Sequence, residues 1–338
     1  MIRHPALQPV LLALLVATGL GSLVTGPMAL NWSSLLTPAE LSDTEQLVLL
    51  HIRLPRTLLC LAVGATLAMC GAVMQGLFRN PLADPGIIGV SSGAALGAAI
   101  SMVLMSPLAA IMPAWLGAGL TSLMAFSGGL VATLVIYRLA RTPQGTSVSV
   151  LLLAGVAIAA LSGGVLGLLN YLADDQTLRD LTLWQMGSLT QSSVPQLILV
   201  CATALLLVVL LGRQSTALNA LTLGEAEARH LGIEVQKLKR QLVLMTAMAV
   251  GICVAAVGII GFVGLVVPHL VRLLAGPDHR GLLPLSALLG AWLLLLADML
   301  ARTLAAPAEM PVGIVTALLG APFFLWLLLK QKRGVGLA

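Results

Sequence analysis

Runs of about twenty apolar residues, parted by short polar breaks, limit this chain more than any other feature. A helix needs about 20 such residues to cross a hydrocarbon core about 30 Å thick, and inside that core every backbone polar group must be satisfied within the chain. Ten runs fit the pattern, at about 7–28, 57–77, 87–106, 115–137, 147–171, 193–212, 241–260, 261–275, 282–300 and 312–329. Only 9% of the residues are charged, against about 25% in a soluble domain. The expected fold is therefore all-α, a polytopic membrane protein with about ten transmembrane helices, and 1–338 reads as one transmembrane domain. The eighth run is short and abuts the seventh. Gly258, Gly261 and Gly264 crowd that junction and Pro268 lies in the short run, so a bend or broken helix is expected there. Arg3 and His4 precede the apolar stretch Leu7 to Leu23, which reads as a first spanning helix and not as a removed signal peptide.

Ten spans put both termini on one side, and the basic residues choose which. With the termini in the cytoplasm, fourteen of the eighteen lysines and arginines lie inside, and only Arg53, Arg56, Arg179 and Arg302 lie outside. That asymmetry follows the positive-inside rule. The formal charge of +5 is thus a matter of topology and gives no reason to expect nucleic acid as a partner. The outer loop from 172 to 190 carries Asp174, Asp175, Arg179, Asp180 and Trp184. It is too polar to cross and is expected to form a short surface helix. In the third run Gly89, Gly93 and Gly97 recur at helical spacing, which suits close approach of a neighbouring helix.

The densest charge lies in a cytoplasmic loop at about 213–240. Glu225 and Glu227 fall where acids suit a helix N-terminus, Gly232 ends that helix, and Ile233 to Leu238 starts another. Ala228, Leu231, Ile233 and Val235 form a small apolar face with nothing in their own segment to bury it. A solvated loop is the plain reading, whereas the helix punctuation and the uncovered apolar face favour a docking surface.

Catalytic motifs are absent: the sequence has no Walker glycine loop, no HExxH and no GxSxG. Its five histidines lack metal-ligand spacing, and Cys60, Cys70, Cys201 and Cys253 all sit in apolar runs as small hydrophobes. Neither a metal site nor a cofactor held by the chain is expected. Ion-coupled carriers usually place ionisable groups near the bilayer midplane, and these runs hold almost none. The nearest is Asp298, with Arg302 four residues on, a favourable helical ion-pair order read first as structural. Energy is therefore expected from another subunit. A gradient-driven secondary carrier is the alternative, and a scaffold subunit without transport is a third class. Arg53 and Arg56, beside Pro55 at the mouth of a span, suit either interface snorkelling or docking of an acidic partner.

Several longer motifs, in order, carry a family resemblance. They are Arg53-Leu54-Pro55-Arg56, the stretch from Gly71 to Gly86, Gly224-Glu225 to Gly232, the stretch from Gly261 to His269, and Glu309 to Thr316. The chain resembles the permease subunits of type II ATP-binding-cassette importers, which serve vitamin B12, ferric siderophores and haem. The resemblance implies a homodimeric permease in the bacterial inner membrane, with a path at the two-fold axis. It implies two cytoplasmic ATPase subunits that use ATP and magnesium, and a periplasmic binding protein. Gly224, Glu225, Ala228, Arg229, Leu231 and Gly232 match the coupling helix that enters the ATPase. Arg53, Arg56 and Arg302 match arginines that meet glutamates of the binding protein. The stretch Asp174 to Leu189 looks most like that of haem permeases, and Arg179 is a candidate contact for a haem propionate or a plain surface residue. Ferric siderophores and vitamin B12 are the alternative substrates.

Overall fold

The computed structural model describes residues 7–28, 30, 42–106, 111–143, 145–190, 192–306 and 308–335. Arg3, His4 and most of the first outer loop lie outside the described residues. The long apolar runs form helices because a run that buries all its backbone polar groups internally has no other solution in lipid. In chain order the helices are α1 (Leu7–Val24), α2 (Asp43–Leu47), α3 (Leu54–Phe78), α4 (Val90–Ala99), α5 (Ala114–Leu139), α6 (Val148–Leu172) and α7 (Asp175–Gln185). They continue with α8 (Val194–Leu223), α9 (Glu225–His230), α10 (Val235–Val257), α11 (Val263–Ala275), α12 (His279–Leu304) and α13 (Val312–Val335). A π-helical turn, Val48–Arg53, joins α2 to α3, and another, Ile100–Leu104, extends α4. Each of the ten expected runs is a helix. Seven helical segments are long and apolar enough to cross a membrane, and Val90–Leu104, Val263–Ala275 and Val312–Trp326 are shorter apolar helices.

Helix α3 is the hub. It packs on α12, α8, α11 and α10 and is buried over most of its length. Glycine allows this. A Cβ at Gly71 would lie 1.8 Å from the carbonyl oxygen of Gly264 in α11, so the two backbones touch. Pro268, four residues on, has no N–H to donate to that same oxygen. Buried Gln75 locks the contact, donating to the Leu265 carbonyl at 3.0 Å and accepting from Arg272 at 2.6 Å. The expected glycine packing in the third run holds for Gly93 and Gly97, whose absent Cβ atoms let the Gly128 and Met124 carbonyls of α5 approach. Gly89 differs. It precedes α4 with φ +86° and makes the turn out of the short 3₁₀ helix Pro85–Ile88.

The bend between the seventh and eighth runs is present. Gly258 (φ +73°) ends α10, and Phe262 takes a left-handed conformation just before α11. The loop after α7 caps this break: Ser188 N–H donates to the Val257 carbonyl at 2.8 Å and the Ser192 hydroxyl to the Ala256 carbonyl at 3.1 Å. The expected surface helix at 172–190 is α7, whose first turn is capped by Asp174 accepting the Thr177 N–H at 2.9 Å.

Two boundaries move. Helix α8 runs on to Leu223 and α10 begins at Val235, so the polar loop is far shorter than 213–240. The second short helix expected within it is the first turn of α10. A two-residue hairpin, Arg141–Thr142 with Gly145–Thr146, also lies between α5 and α6. Periodicity in so short a polar segment gave no sign of it.

Candidate functional site

The chemistry-bearing residues gather at opposite ends of α3 and α12. One end holds the six-residue helix α9, set between the long helices α8 and α10. Gly224 (φ +140°) and Gly232 (φ +80°) bound it, conformations that glycine adopts without a steric penalty. Below it lies Lys239, only 2% exposed. Its ammonium donates to the Glu225 carboxylate and, at 3.0 Å, to the Thr146 carbonyl in the hairpin. Gln236 accepts the Thr146 N–H at 2.8 Å. Glu225 also faces Arg229 one turn on, at 3.7 Å.

This arrangement divides the residues expected to contact an ATPase. Ala228 is fully buried and Val235 nearly so; they seat α9 on its own chain and are not presented outward. Leu231 is 64% exposed and is the apolar contact that α9 offers. It borders an open groove of about 370 Å³ formed with Thr216, Leu223, Pro277 and Asp278. The groove's far wall is fixed by Asn219, whose amide donates to Asp278 at 2.7 Å and whose oxygen accepts the His279 N–H at 2.8 Å. The Arg280 N–H and the Asn219 amide hold the Asp278 carboxyl below the usual carboxylate range.

At the other end the three arginines expected to face a binding protein are not surface groups. Arg53, Arg56 and Arg302 are 4%, 7% and 3% exposed, and each is engaged inside the chain. Arg53 donates to the carbonyls of Leu23 at 2.8 Å, Val24 at 2.6 Å, and Met28. It thereby satisfies the carbonyls that every helix leaves unpaired at its C-terminus, here those of α1. Arg302 donates to the carbonyls of Ser22 at 3.3 Å and Thr25 at 3.2 Å and to the Ser22 hydroxyl at 2.8 Å. Arg56 binds Asp298 at 2.9 Å and Glu309 at 2.7 Å.

The expected Asp298–Arg302 pair forms at 3.1 Å, without the alignment of a hydrogen bond. Asp298 is fully buried and serves two arginines. In this conformation the arginines tie α1, α3 and α12 together, because an unpaired guanidinium at that depth would cost more than any surface contact returns. Beside Arg56 lies a cavity of about 410 Å³, whose polar wall includes His51, Arg56, Thr190, Ser192 and Glu309. Arg179 stands apart, exposed on α7, with no ion pair among the described residues.

Lys239, Gln236 and Asn219 were not singled out from sequence. Only Lys239 left a trace there, as a basic residue at a position the helical phase of α10 turns inward.

The chain matches the model of the FecCD transport family over residues 14–330. It is 49% identical over 327 residues to the hemin transport system permease protein HmuU of Yersinia pestis, covering 96% of this chain and 95% of that one. It is 45% identical over 303 residues to the vitamin B12 import system permease protein BtuC of Salmonella typhi, covering 87% of each. Among solved structures it superposes on an inward-facing metal-chelate type ABC transporter with a TM-score of 0.82 and 36% identity, covering 97% of this chain and all of that one. With a family model spanning nearly its whole length, this chain belongs to the FecCD transport family.

Proposed function

We propose that the chain is the membrane permease of an ATP-binding-cassette importer that carries haem from periplasm to cytoplasm, driven by a separate ATPase. The observation that carries this reading is α9: a short helix anchored from below by Lys239, bounded by glycines, and presenting Leu231 beside a groove. Such a platform suits receipt of work from a partner. In this reading two ATPase subunits, using ATP and magnesium, engage α9 of two permease copies, and a periplasmic binding protein delivers substrate at the Arg56 end. Both termini then lie in the cytoplasm of a bacterial inner membrane. Outward-facing apolar side chains such as Leu153, Leu161 and Leu205 meet lipid or the second copy. A docking role for Arg53, Arg56 and Arg302 requires that they exchange their internal partners, and Arg56 is best placed because Glu309 is its least buried one.

Haem is favoured by the likeness to a hemin permease over nearly the whole length. Vitamin B12 is the second reading, and the 45% identity to a B12 permease supports it more strongly than the sequence motifs did. The test is uptake by the assembled complex in liposomes, comparing hemin, a ferric siderophore and cobalamin. ATP-dependent hemin uptake is expected. Uptake driven by an ion gradient without ATP would overturn the importer reading, and ATP-dependent uptake of cobalamin alone would overturn haem.

A further inference from the structure

The cavity beside Arg56 is neither a simple packing defect nor a polar channel. Its apolar wall is built from Ile52, Leu59, Leu189 and Leu197, and one guanidinium enters it. A volume of about 410 Å³ is in the range of small-molecule sites, which pair an apolar lining with a few placed polar groups. The two acids that face Arg56 are unlike. Asp298 has no exposure, comes from α12, and is shared with Arg302. Glu309 is 37% exposed and comes from the segment between α12 and α13. One acid is therefore a permanent counter-ion and the other a replaceable one. Arg56 spends Nε and one terminal nitrogen on Asp298, and only the remaining nitrogen on Glu309.

We propose that this cavity is a carboxylate-recognising subsite for an amphipathic macrocycle, with Arg56 as the anion receptor and Glu309 as the group the ligand displaces. The exchange conserves charge, one carboxylate leaving Arg56 as another arrives, so no bare cation is exposed in an apolar wall. Asp298 holds the guanidinium in place throughout. The apolar face of the ligand lies on Leu59, Leu189 and Leu197, and its acidic edge meets Arg56. This inference deepens the haem reading and rests on it, because a porphyrin with propionates is a flat apolar ring with an acidic edge.

The test is a Soret absorbance titration of the full-length permease in lipid nanodiscs, using hemin and its dimethyl ester, with empty nanodiscs as the blank. Wild type should bind hemin about tenfold more tightly than the ester, the worth of one hydrogen bond to a charged group. Glu309→Gln should tighten hemin about tenfold by removing the competing carboxylate and should leave the ester unchanged. Arg56→Lys keeps a cation beside Asp298 but loses the planar fork, and should weaken hemin selectively. Binding no greater than in empty nanodiscs, equal shifts for both ligands, or a silent Glu309→Gln would each overturn the subsite. The haem reading is judged separately: wild-type complex that imports hemin with a silent Glu309→Gln keeps the substrate and loses the subsite, whereas failure to import hemin removes the substrate.

Discussion

Replacing Lys239 with methionine separates the anchoring of α9 from its contact surface. The substitution keeps the length of the side chain and removes its charge. In the folded chain the Lys239 ammonium reaches the Glu225 carboxylate and the Thr146 carbonyl. Removing one partner from a fully buried pair costs about 3–5 kcal/mol. Glu225 is 30% exposed and can rehydrate, and Gln236 still holds the Thr146 N–H, so about 2 kcal/mol is the better figure. That is about thirtyfold in the equilibrium between seated and released α9. Native-state hydrogen exchange reads it directly: the amides of 225–232 should exchange about thirtyfold faster, with those of α3 unaffected. Substrate-stimulated ATPase activity should fall much less, because a helix released about one time in a thousand is still seated about 97% of the time after a thirtyfold change. Unchanged exchange at α9 would refute the anchoring argument. Faster exchange throughout the chain would show that Lys239 supports the whole fold and not this helix.

Other outcomes follow from the same geometry. Leu231→Ala removes an exposed side chain, so the melting temperature should hold within the effect of about 0.5 kcal/mol, while affinity for the ATPase subunit, measured by titration, should fall about tenfold. Asp298→Asn deprives two buried arginines of their shared counter-ion and should destabilise by about 3 kcal/mol, read as lower thermal stability in nanodiscs. Adding Arg302→Met should recover part of that loss, since the two sites are coupled. Gly71→Ala puts a methyl group 1.8 Å from a backbone oxygen and should abolish assembly of the folded permease, measured by size-exclusion chromatography. For Asp278, whose folded pKa is depressed, the added stability is present above the ordinary carboxylate range and is lost as pH falls through the folded value. Asn219→Ala should therefore flatten the acid limb of stability against pH.

The sequence disclosed what the bilayer dictates and missed what the packed helices dictate. Ten apolar runs give ten helices because a lipid-facing backbone has no alternative, and Gly258, Gly261 and Pro268 marked the break between α10 and α11 through local backbone chemistry. Helix ends at the water interface were less legible. There the apolar signal stops but the hydrogen-bond ladder continues, which is why α8 extends to Leu223 and α10 starts at Val235. The arginines were the larger miss. Arg53 and Arg56 stand three apart at a span mouth, and position along a helix does not say which neighbour lies opposite. Only the packing of α1 and α12 on α3 reveals that Leu23, Val24 and Asp298 already occupy them. The same limit hid the role of Ala228, whose small size is explained once α9 is seen lying against α8 and α10.

These contacts also restrict which parts of the permease can move. Helices α3 and α12 meet at backbone distance, Gly64 against Gly290, and are pinned at one end by Arg56–Asp298. At the other end, His279 lies against Gly76 and is bound to Asn219 of α8. Sliding α3 along α12 would break the buried charge cluster and the Asn219 bridge together, so the pair behaves as one body linking the cavity to the groove beside α9. Displacement during transport must then fall where the chain lacks such ties. The two such places in the described residues are the non-helical link from Gly258 to Phe262 and the short turn at Gly89. Both have left-handed backbone at a helix boundary, where a small rotation re-aims an entire helix without breaking a buried ion pair.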